Sequence, residues 1–334
     1  MILVTGGTGY IGSHACVELM SAGHEIVILD NLCNSRRDVV NGIGSIVGKL
    51  PILVEGDIRD AEILEQLFTQ YRFDAVMHFA GLKSVSESVA NPLQYYENNV
   101  YGSMVLFRAM AVHGIKRLVF SSSATIYGDP ASLPIGEDFP LQATNPYGRT
   151  KLMIEEMLRD IAVADPGWNI AILRYFNPVG AHDSGLIGEA PNGVPNNLMP
   201  YIAQVAAGQR EFLSVFGDDY PTPDGTGVRD YIHVADLAAG HLKALEKLMR
   251  DNGILTYNLG AGHGFSVLEM VSAFEKASGK PIPYRIMPRR AGDVAQSYAN
   301  PQKAERELGW KATRSIEEMC ADSWRWHSRH QAFP

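Results

Sequence analysis

The stretch ILVTGGTGYIGSH (2–14) decides the fold. Ile2–Thr5 is a short, β-branched apolar run and predicts a strand. Gly6, Gly9 and Gly12 follow it as G-x-x-G-x-x-G, and a helix is expected over about Ile11–Ala22, stopped by Gly23. In this strand–turn–helix setting each glycine has a reason. Gly6 permits the tight turn, Gly9 lets the backbone approach a pyrophosphate, and Gly12 lets helix and strand pack closely. The unpaired N–H groups of the helix start then face the phosphates, with Tyr10 and Ile11 at the same place. The motif predicts a dinucleotide site.

Reading outward, Glu25–Asp30 (EIVILD) is the next strand. Asp30 ends it, close to the ~20-residue spacing at which an acidic side chain meets the ribose 2′-OH. That carboxylate would repel a 2′-phosphate, so NAD is expected over NADP. Arg36 and Arg37 stand nearby and read as solvated loop charges. Asn31, Asn34 and Ser35 follow Asp30 and belong to the same site. Further strands are expected at Pro51–Glu55, Ala75–Phe79, Leu118–Ser121 and Ile170–Arg174, with helical patterns between them. Short apolar strands alternating with helices predict an α/β, Rossmann-like, doubly wound parallel sheet. After the third strand, Asp57 and Ile58 are placed to flank the adenine. After the fourth, Phe79-Ala80-Gly81 brings backbone to the cofactor, and Lys83 and Asn98 are expected to reach its ribose.

The pattern loosens beyond Asn177. Residues 178–230 are rich in Gly, Pro and Asn, a composition that marks functional loops. Regular elements resume with helices over His233–Leu248 and Val267–Ser278 and strands over Thr256–Leu259 and Ile282–Met287. The expected division is an NAD-binding domain over 1–177 and a smaller α/β substrate-binding domain over 178–334. Some of the later segments return to the first sheet.

Tyr147 and Lys151 in NPYGRTKLMIEE share one helix face at i, i+4, and no other tyrosine of the 14 has a lysine four residues on. Ser123 sits at the end of the fifth strand, where its hydroxyl meets the same pocket. A free tyrosine has a pKa of about 10. A nearby ammonium, and a positive nicotinamide, would favour the phenolate and let it act as a base. A serine hydrolase is the rival nucleophile chemistry, and the chain has no G-x-S-x-G elbow.

Composition narrows the classes. The formal net charge of -8 argues against nucleic-acid binding, and 46% hydrophobic residues suffice for a sizeable core. Cys16, Cys33 and Cys320 form no metal-ligand pair and read as free thiols in a reducing cytoplasm. Neither a signal peptide nor a membrane span is expected.

Longer strings then carry a resemblance. VTGGTGYIGSH (4–14), LDNLCNS (29–35), HFAGLKSVSES (78–88), YYENNV (95–100), FSSSATIYGD (120–129), PYGRTK (146–151), LRYFNPVGAH (173–182), PNNLMPY (195–201) and DGTGVRDYIHV (224–234) span nearly the whole chain. They resemble the extended short-chain dehydrogenase/reductase superfamily and, within it, the sugar-nucleotide 4-epimerases that interconvert UDP-galactose and UDP-glucose. The resemblance implies an isomerase in which tightly bound NAD takes a hydride from sugar C4 while Tyr147 takes the O4 proton. Lys151 would hold the nicotinamide ribose and lower the Tyr147 pKa. Ser123, with Thr125, would bond the sugar oxygen, and the 4-keto sugar would turn over and take the hydride back on its other face. Ser121 joins the cofactor site, and Tyr175 and Phe176 line the nicotinamide. For the substrate, the resemblance points to Lys83, Asn177, Asn197, Leu198, Phe216, Arg229, Arg290, Asp293 and Ser297, with the two arginines clamping a diphosphate. It further implies a homodimer through the helices carrying Asn98–Val112 and the Tyr147 region.

One position departs from the family. Members restricted to non-acetylated sugars often carry a large aromatic where DVAQSY (293–298) places Ser297. A small residue there would leave room beside sugar C2 for UDP-GalNAc and UDP-GlcNAc, whereas a one-residue slip to Tyr298 would restore the aromatic. Three other readings remain. A 4,6-dehydratase needs a carboxylate pair that the stretch 123–128 lacks. A reductase would consume free cofactor. A non-catalytic NAD-sensing protein on the same fold would have no need of Tyr147 or Lys151.

Overall fold

The computed structural model describes residues 1–330 apart from 191, 193, 194, 196, 291 and 292. Its centre is a seven-stranded sheet, built from β1 (Ile2–Thr5), β2 (Ile26–Asp30), β3 (Ile52–Glu55), β4 (Ala75–His78), β5 (Arg117–Ser123) and β6 (Asn169–Tyr175), with a seventh strand from later in the chain. All the pairings are parallel. β1, β2, β4 and β6 are buried along their whole length, as expected of strands covered on both faces.

The covering helices explain that burial. α1 (Tyr10–Ser21) and α2 (Val39–Val47) lie on one face. α3 (Ala61–Gln70) lies on the other, joined there by later helices. After β4 come α4 (Val85–Ala90) and α5 (Pro92–Tyr95). A π-helical turn over Tyr96–Tyr101 then leads into α6 (Gly102–Val112). α7 (Pro146–Ala164) begins where Asn145 accepts the Gly148 N–H at 2.9 Å and Pro146 supplies the preset first turn.

Beyond Asn177 the chain forms β7 (Asn177–Val179), α8 (Leu198–Ala206), β8 (Leu213–Phe216), β9 (Val228–Arg229), β10 (Tyr231–His233) and α9 (Val234–Leu248). β11 (Gly253–Leu259) then returns to the main sheet and pairs with β6 over seven residues. The sheet order is therefore β11-β6-β5-β4-β1-β2-β3. β12 (Phe265–Ser266), α10 (Val267–Ser278), β13 (Tyr284–Met287), β14 (Gln296–Ser297), α11 (Gln302–Leu308) and α12 (Ile316–His330) complete the chain.

Three small sheets stand outside the large one. β10 pairs with β7, β13 with β8, and β9 lies between β12 and β14. A separate apolar cluster, with Ile202, Leu213, Phe274 and Met319 at its centre, holds α8, α10 and α12 together. α10 has reciprocal caps at its start, Ser266 with Glu269, and ends on Gly279 in the left-handed region.

Of the strands expected from sequence, Glu25–Asp30, Pro51–Glu55 and Ala75–Phe79 each lose one end residue, and three others are found with their ends moved outward. Leu118–Ser121 becomes Arg117–Ser123, Ile170–Arg174 becomes Asn169–Tyr175, and Thr256–Leu259 begins at Gly253. Ladder pairing carries polar and small end residues that apolar patterning does not mark. In the opposite direction, Ile282–Met287 shortens to Tyr284–Met287, and His233 proves to be the cap of α9 rather than its first residue. Its Nδ1 accepts the Ala235 N–H at 3.0 Å.

The connection β1–α1 leaves little slack. Gly6 has φ 71°, and a Cβ there would stand 2.6 Å from the Ala80 nitrogen. A Cβ on Gly12 would collide with the Gly6 carbonyl oxygen. Both contacts are with backbone, which cannot rotate away.

Candidate functional site

A cleft of ≈ 750 Å³ opens along the carboxyl ends of the central strands. Its floor is the β1–α1 turn. Gly6, Gly9, Tyr10, Ile11 and Gly12 line it, and Gly9 contributes no side chain to fill it. α1 has no side-chain cap at its start, so its first N–H groups face the cleft. Such a cradle, with a glycine turn below a helix start, has the shape and the donors that a pyrophosphate needs.

The neighbouring wall comes from the end of β2. Asp30 is buried, and its Oδ2 accepts the Thr8 N–H at 3.0 Å. Its Oδ1 accepts the Leu32 N–H at 2.9 Å and the Ser35 hydroxyl at 3.2 Å. Asn31, Asn34, Ser35 and Ile58 line the same wall. Asp57 does not line the cleft. Its carboxylate binds the Arg59 guanidinium at 2.8 and 2.9 Å, which holds its pKa down at about 2, and Asn31 Nδ2 donates to it at 2.9 Å.

Phe79, Ala80, Gly81, Lys83 and Asn98 form the next wall. Asn98 sits on the π-helical turn. Lys83 Nζ donates to Glu189 Oε1 at 3.0 Å, and Asn197 Nδ2 donates to the same oxygen at 2.6 Å. Glu189 also lines the cleft, together with Ala190 and Asn192, and none of these three was anticipated from sequence. They fall in a Gly/Pro/Asn-rich loop without periodicity, and no motif marks them. Thr8 was likewise missed, although its place inside the glycine motif could have drawn attention to it.

Tyr147, Lys151, Ser121 and Tyr175 meet at the inner end of the cleft. Lys151 is buried, and its Nζ donates to the Ser121 carbonyl at 2.7 Å. Burial brings its pKa down to about 8, against the pull of Glu155, so it remains mostly an ammonium at neutral pH. The Ser121 hydroxyl and the Tyr175 hydroxyl touch. Ser123 Oγ accepts from Thr125 Oγ at 2.9 Å and from the Thr125 N–H at 3.2 Å. Its own proton is thus free to bond Tyr147. Phe176 packs away from the cleft, in a cluster with Ile126, Tyr127, Ile135 and Ala299.

The charge balance at Tyr147 differs from the expectation. A phenol pKa lowered by Lys151 was expected, but burial raises it, and only the hydrogen bond with Ser123 pulls it down. The Lys151 ammonium directs one N–H at the Ser121 carbonyl. The protein's own groups therefore keep Tyr147 a phenol. A positive charge introduced beside the ring is what would favour the phenolate.

The remaining expected substrate residues gather outside the lining of the cleft. Arg290 Nε donates to Asp293 Oδ2 at 2.9 Å, and Arg229 approaches Asp293 at 4.0 Å. The Arg290 guanidinium lies 4.8 Å from the centre of the Phe216 ring. Ser297 stands opposite Arg229 in the β9–β14 pairing. Asn177 begins β7 and donates its N–H to the Asp230 carbonyl at 3.0 Å, and Leu198 begins α8. Among the described residues no group of His, Cys, Asp and Glu could hold a metal, and no helix is long and apolar enough to cross a membrane.

Residues 2–260 match the model of the NAD dependent epimerase/dehydratase family. The UDP-glucose 4-epimerase of Bacillus subtilis (strain 168) is 63% identical over 98% of this chain and 96% of that protein. A crystal structure of a UDP-glucose 4-epimerase from Stenotrophomonas maltophila, with bound NAD and formylated UDP-arabinopyranose, is 54% identical. It covers 100% of this chain and 99% of that one, with a TM-score of 0.98. A UDP-glucose 4-epimerase from Bifidobacterium longum, in complex with NAD+ and UDP, is 52% identical over 99% of this chain and 98% of that one, with a TM-score of 0.96.

The electrostatics of Tyr147 generate a prediction. In the cofactor-free protein burial keeps Tyr147 protonated at neutral pH, and adding NAD, whose nicotinamide ring is positive, shifts its titration downward. Carbon-13 NMR of labelled tyrosine, with Tyr147→Phe to assign the signal, reads this directly. A Tyr147 phenolate at neutral pH without cofactor would contradict it.

Proposed function

The chain belongs to the NAD dependent epimerase/dehydratase family, and on that premise we propose that it interconverts UDP-galactose and UDP-glucose with NAD as resident cofactor. The observation that carries this reading is one cleft that joins a pyrophosphate cradle to Tyr147, Lys151 and Ser121, with Ser123 standing just behind its lining. A phenol that can lose and regain its proton thus lies beside a dinucleotide site. Bound NAD supplies the hydride chemistry.

The chain's own groups do the rest. Tyr147, bonded by Ser123, holds the proton of the sugar O4 and returns it once the 4-keto sugar has presented its other face. Thr125 orients the Ser123 hydroxyl by donating to it. Lys151 spends one N–H on the Ser121 carbonyl and keeps two for the cofactor ribose. Asp30 receives the adenosine ribose, and its negative charge disfavours a 2′-phosphate. Tyr10, Ile11, Asn31, Asn34, Ser35, Phe79, Ala80, Gly81 and Asn98 close around the dinucleotide.

At the nucleotide end, Arg229 and Arg290 clamp the diphosphate, with Asp293 keeping both side chains in place until it arrives. Phe216, Asn177, Asn197 and Leu198 complete that end. Phe176 supports the inner wall from behind, and Asp57 fixes Asn31 rather than touching the adenine.

We propose further that the sugar pocket accepts N-acetylated substrates. Ser297 faces Arg229 in the strand register, and the Tyr298 carbonyl is fixed by the Ile135 N–H at 2.9 Å. That pairing supports the alignment which puts the small residue, not the aromatic, beside the sugar. The homodimer also belongs to this reading. Tyr101, Met104 and Val112 are exposed on or just before α6, and Met153 and Val163 on α7, giving two neighbouring helices apolar surface to cover.

Three outcomes are expected. Purified protein given UDP-galactose and UDP-GalNAc in equal amounts, without added NAD, forms UDP-glucose and UDP-GlcNAc by proton NMR. Absence of both products, with NAD then supplied, would sink the epimerase reading. Ser297→Tyr abolishes turnover of the acetylated pair and spares the plain pair, whereas equal turnover of both by the variant refutes the pocket assignment. In sedimentation the protein runs at twice the chain mass, and Met104→Arg shifts it to the monomer; a monomeric parent refutes the dimer.

A further inference from the structure

Glu155 and Arg174 are charged, yet their side chains are 0% and 2% exposed. They form a forked pair. Glu155 Oε1 accepts from Arg174 Nε at 3.0 Å and Oε2 from Arg174 Nη2 at 2.6 Å. Each carboxylate oxygen has one more donor, Ser122 Oγ at 2.6 Å on Oε1 and Arg159 Nη2 at 3.3 Å on Oε2. Arg174 Nη1 donates to the Tyr127 hydroxyl at 2.9 Å and to the Glu137 carbonyl at 3.0 Å. The Tyr127 hydroxyl in turn donates to Asn258 Oδ1 at 2.7 Å.

Stability alone is a weak reason for such a pair. Taking two charges out of water costs more than most ion pairs return, and an apolar pair of similar volume is often as stable. What the pair does uniquely is fix angles, because a guanidinium fork has one geometry against a carboxylate.

The groups that it ties together are those that carry the proposed chemistry. Glu155 lies one helical turn beyond Lys151 and two beyond Tyr147, on the same stripe of α7. Ser122 stands between Ser121, whose carbonyl seats Lys151, and Ser123, which bonds Tyr147. Tyr127 ends the short 3₁₀ turn that carries Thr125. Arg174 immediately precedes Tyr175 on β6. α7, the end of β5, the turn after it and the end of β6 therefore share one buried joint.

We propose that the Glu155–Arg174 pair positions the epimerisation machinery, setting the Ser123 hydroxyl against the Tyr147–Lys151 stripe. The inference rests on the epimerase reading above. Neither residue reaches the substrate, so both are positioning residues.

The test is the double variant Glu155→Leu/Arg174→Met, which leaves no unpaired buried charge, compared with the parent. The expected result is a folded, NAD-containing protein whose KM for UDP-galactose stays within about threefold while kcat falls about 10–100-fold, the loss that a misplacement of about 1 Å brings. A variant that only loses thermal stability, with parental kcat, overturns the proposal. Should the double variant not fold, Ser122→Ala removes one link of the joint. It is expected to lower kcat about tenfold at constant KM, again through misplacement, and parental kcat in that variant overturns the proposal. A parent that does not turn over UDP-galactose sinks the epimerase reading and this proposal with it, whereas an active parent with unaffected variants sinks this proposal alone.

Discussion

The rest of the structure depends on how closely the backbone at the tip of β1 meets the tip of β4. The Thr5 carbonyl accepts the N–H groups of Phe79 and Ala80 at 2.9 and 3.1 Å, and the Gly6 N–H reaches the Leu29 carbonyl of β2 at 2.8 Å. β1 is thereby stitched to both neighbours just where the connections turn to opposite faces of the sheet. Such a switch point leaves a crevice at the carboxyl ends of the strands. The cleft follows from this, and so does the demand for glycine at 6 and 12. Any side chain at either position would need the space that the Ala80 or Gly6 backbone already holds.

A second layer of order comes from charges that the sheet and α7 bury together. Lys151, Glu155 and Arg174 are all inside, and each is hydrogen-bonded there, Lys151 to the Ser121 carbonyl and the other two to each other. A buried charge without partners is costly, so these side chains have few alternative conformations available. Tyr147 borrows that rigidity. It lies one turn from Lys151, bonds Ser123, and remains neutral because burial outweighs the hydrogen bond.

Much of this was legible in the sequence, because local rules set it. The glycine spacing before a helix, Asp30 at a strand end and Tyr147 four residues before Lys151 each express a short-range geometric need. Residues placed by distant segments were not legible. Glu189 enters the cleft held by Lys83 and Asn197, which both donate to its Oε1. Arg174 follows the apolar run Ile170–Leu173 in its strand, and Glu155 is one of two adjacent glutamates on a helix. Nothing local separates a buried pair from a solvated one. The two-residue strands β9, β12 and β14 are too short for any period to show. The misjudged charge balance at Tyr147 has the same origin, since spacing reveals which groups are near but not how much water they have lost.

The route of the backbone between the large sheet and the segments beyond it has a mechanical consequence. The chain leaves after β6, returns at α9, leaves again after β11, returns at α11 and leaves once more for α12. Units joined by one or two linkers can swing apart like a jaw. Five crossings act as rivets spread along the seam and suppress that swing. Such a seam favours small local shifts at the rim of the cleft over separation of its walls. For a reaction in which a bound intermediate must turn over without escaping, a stiff frame is an advantage.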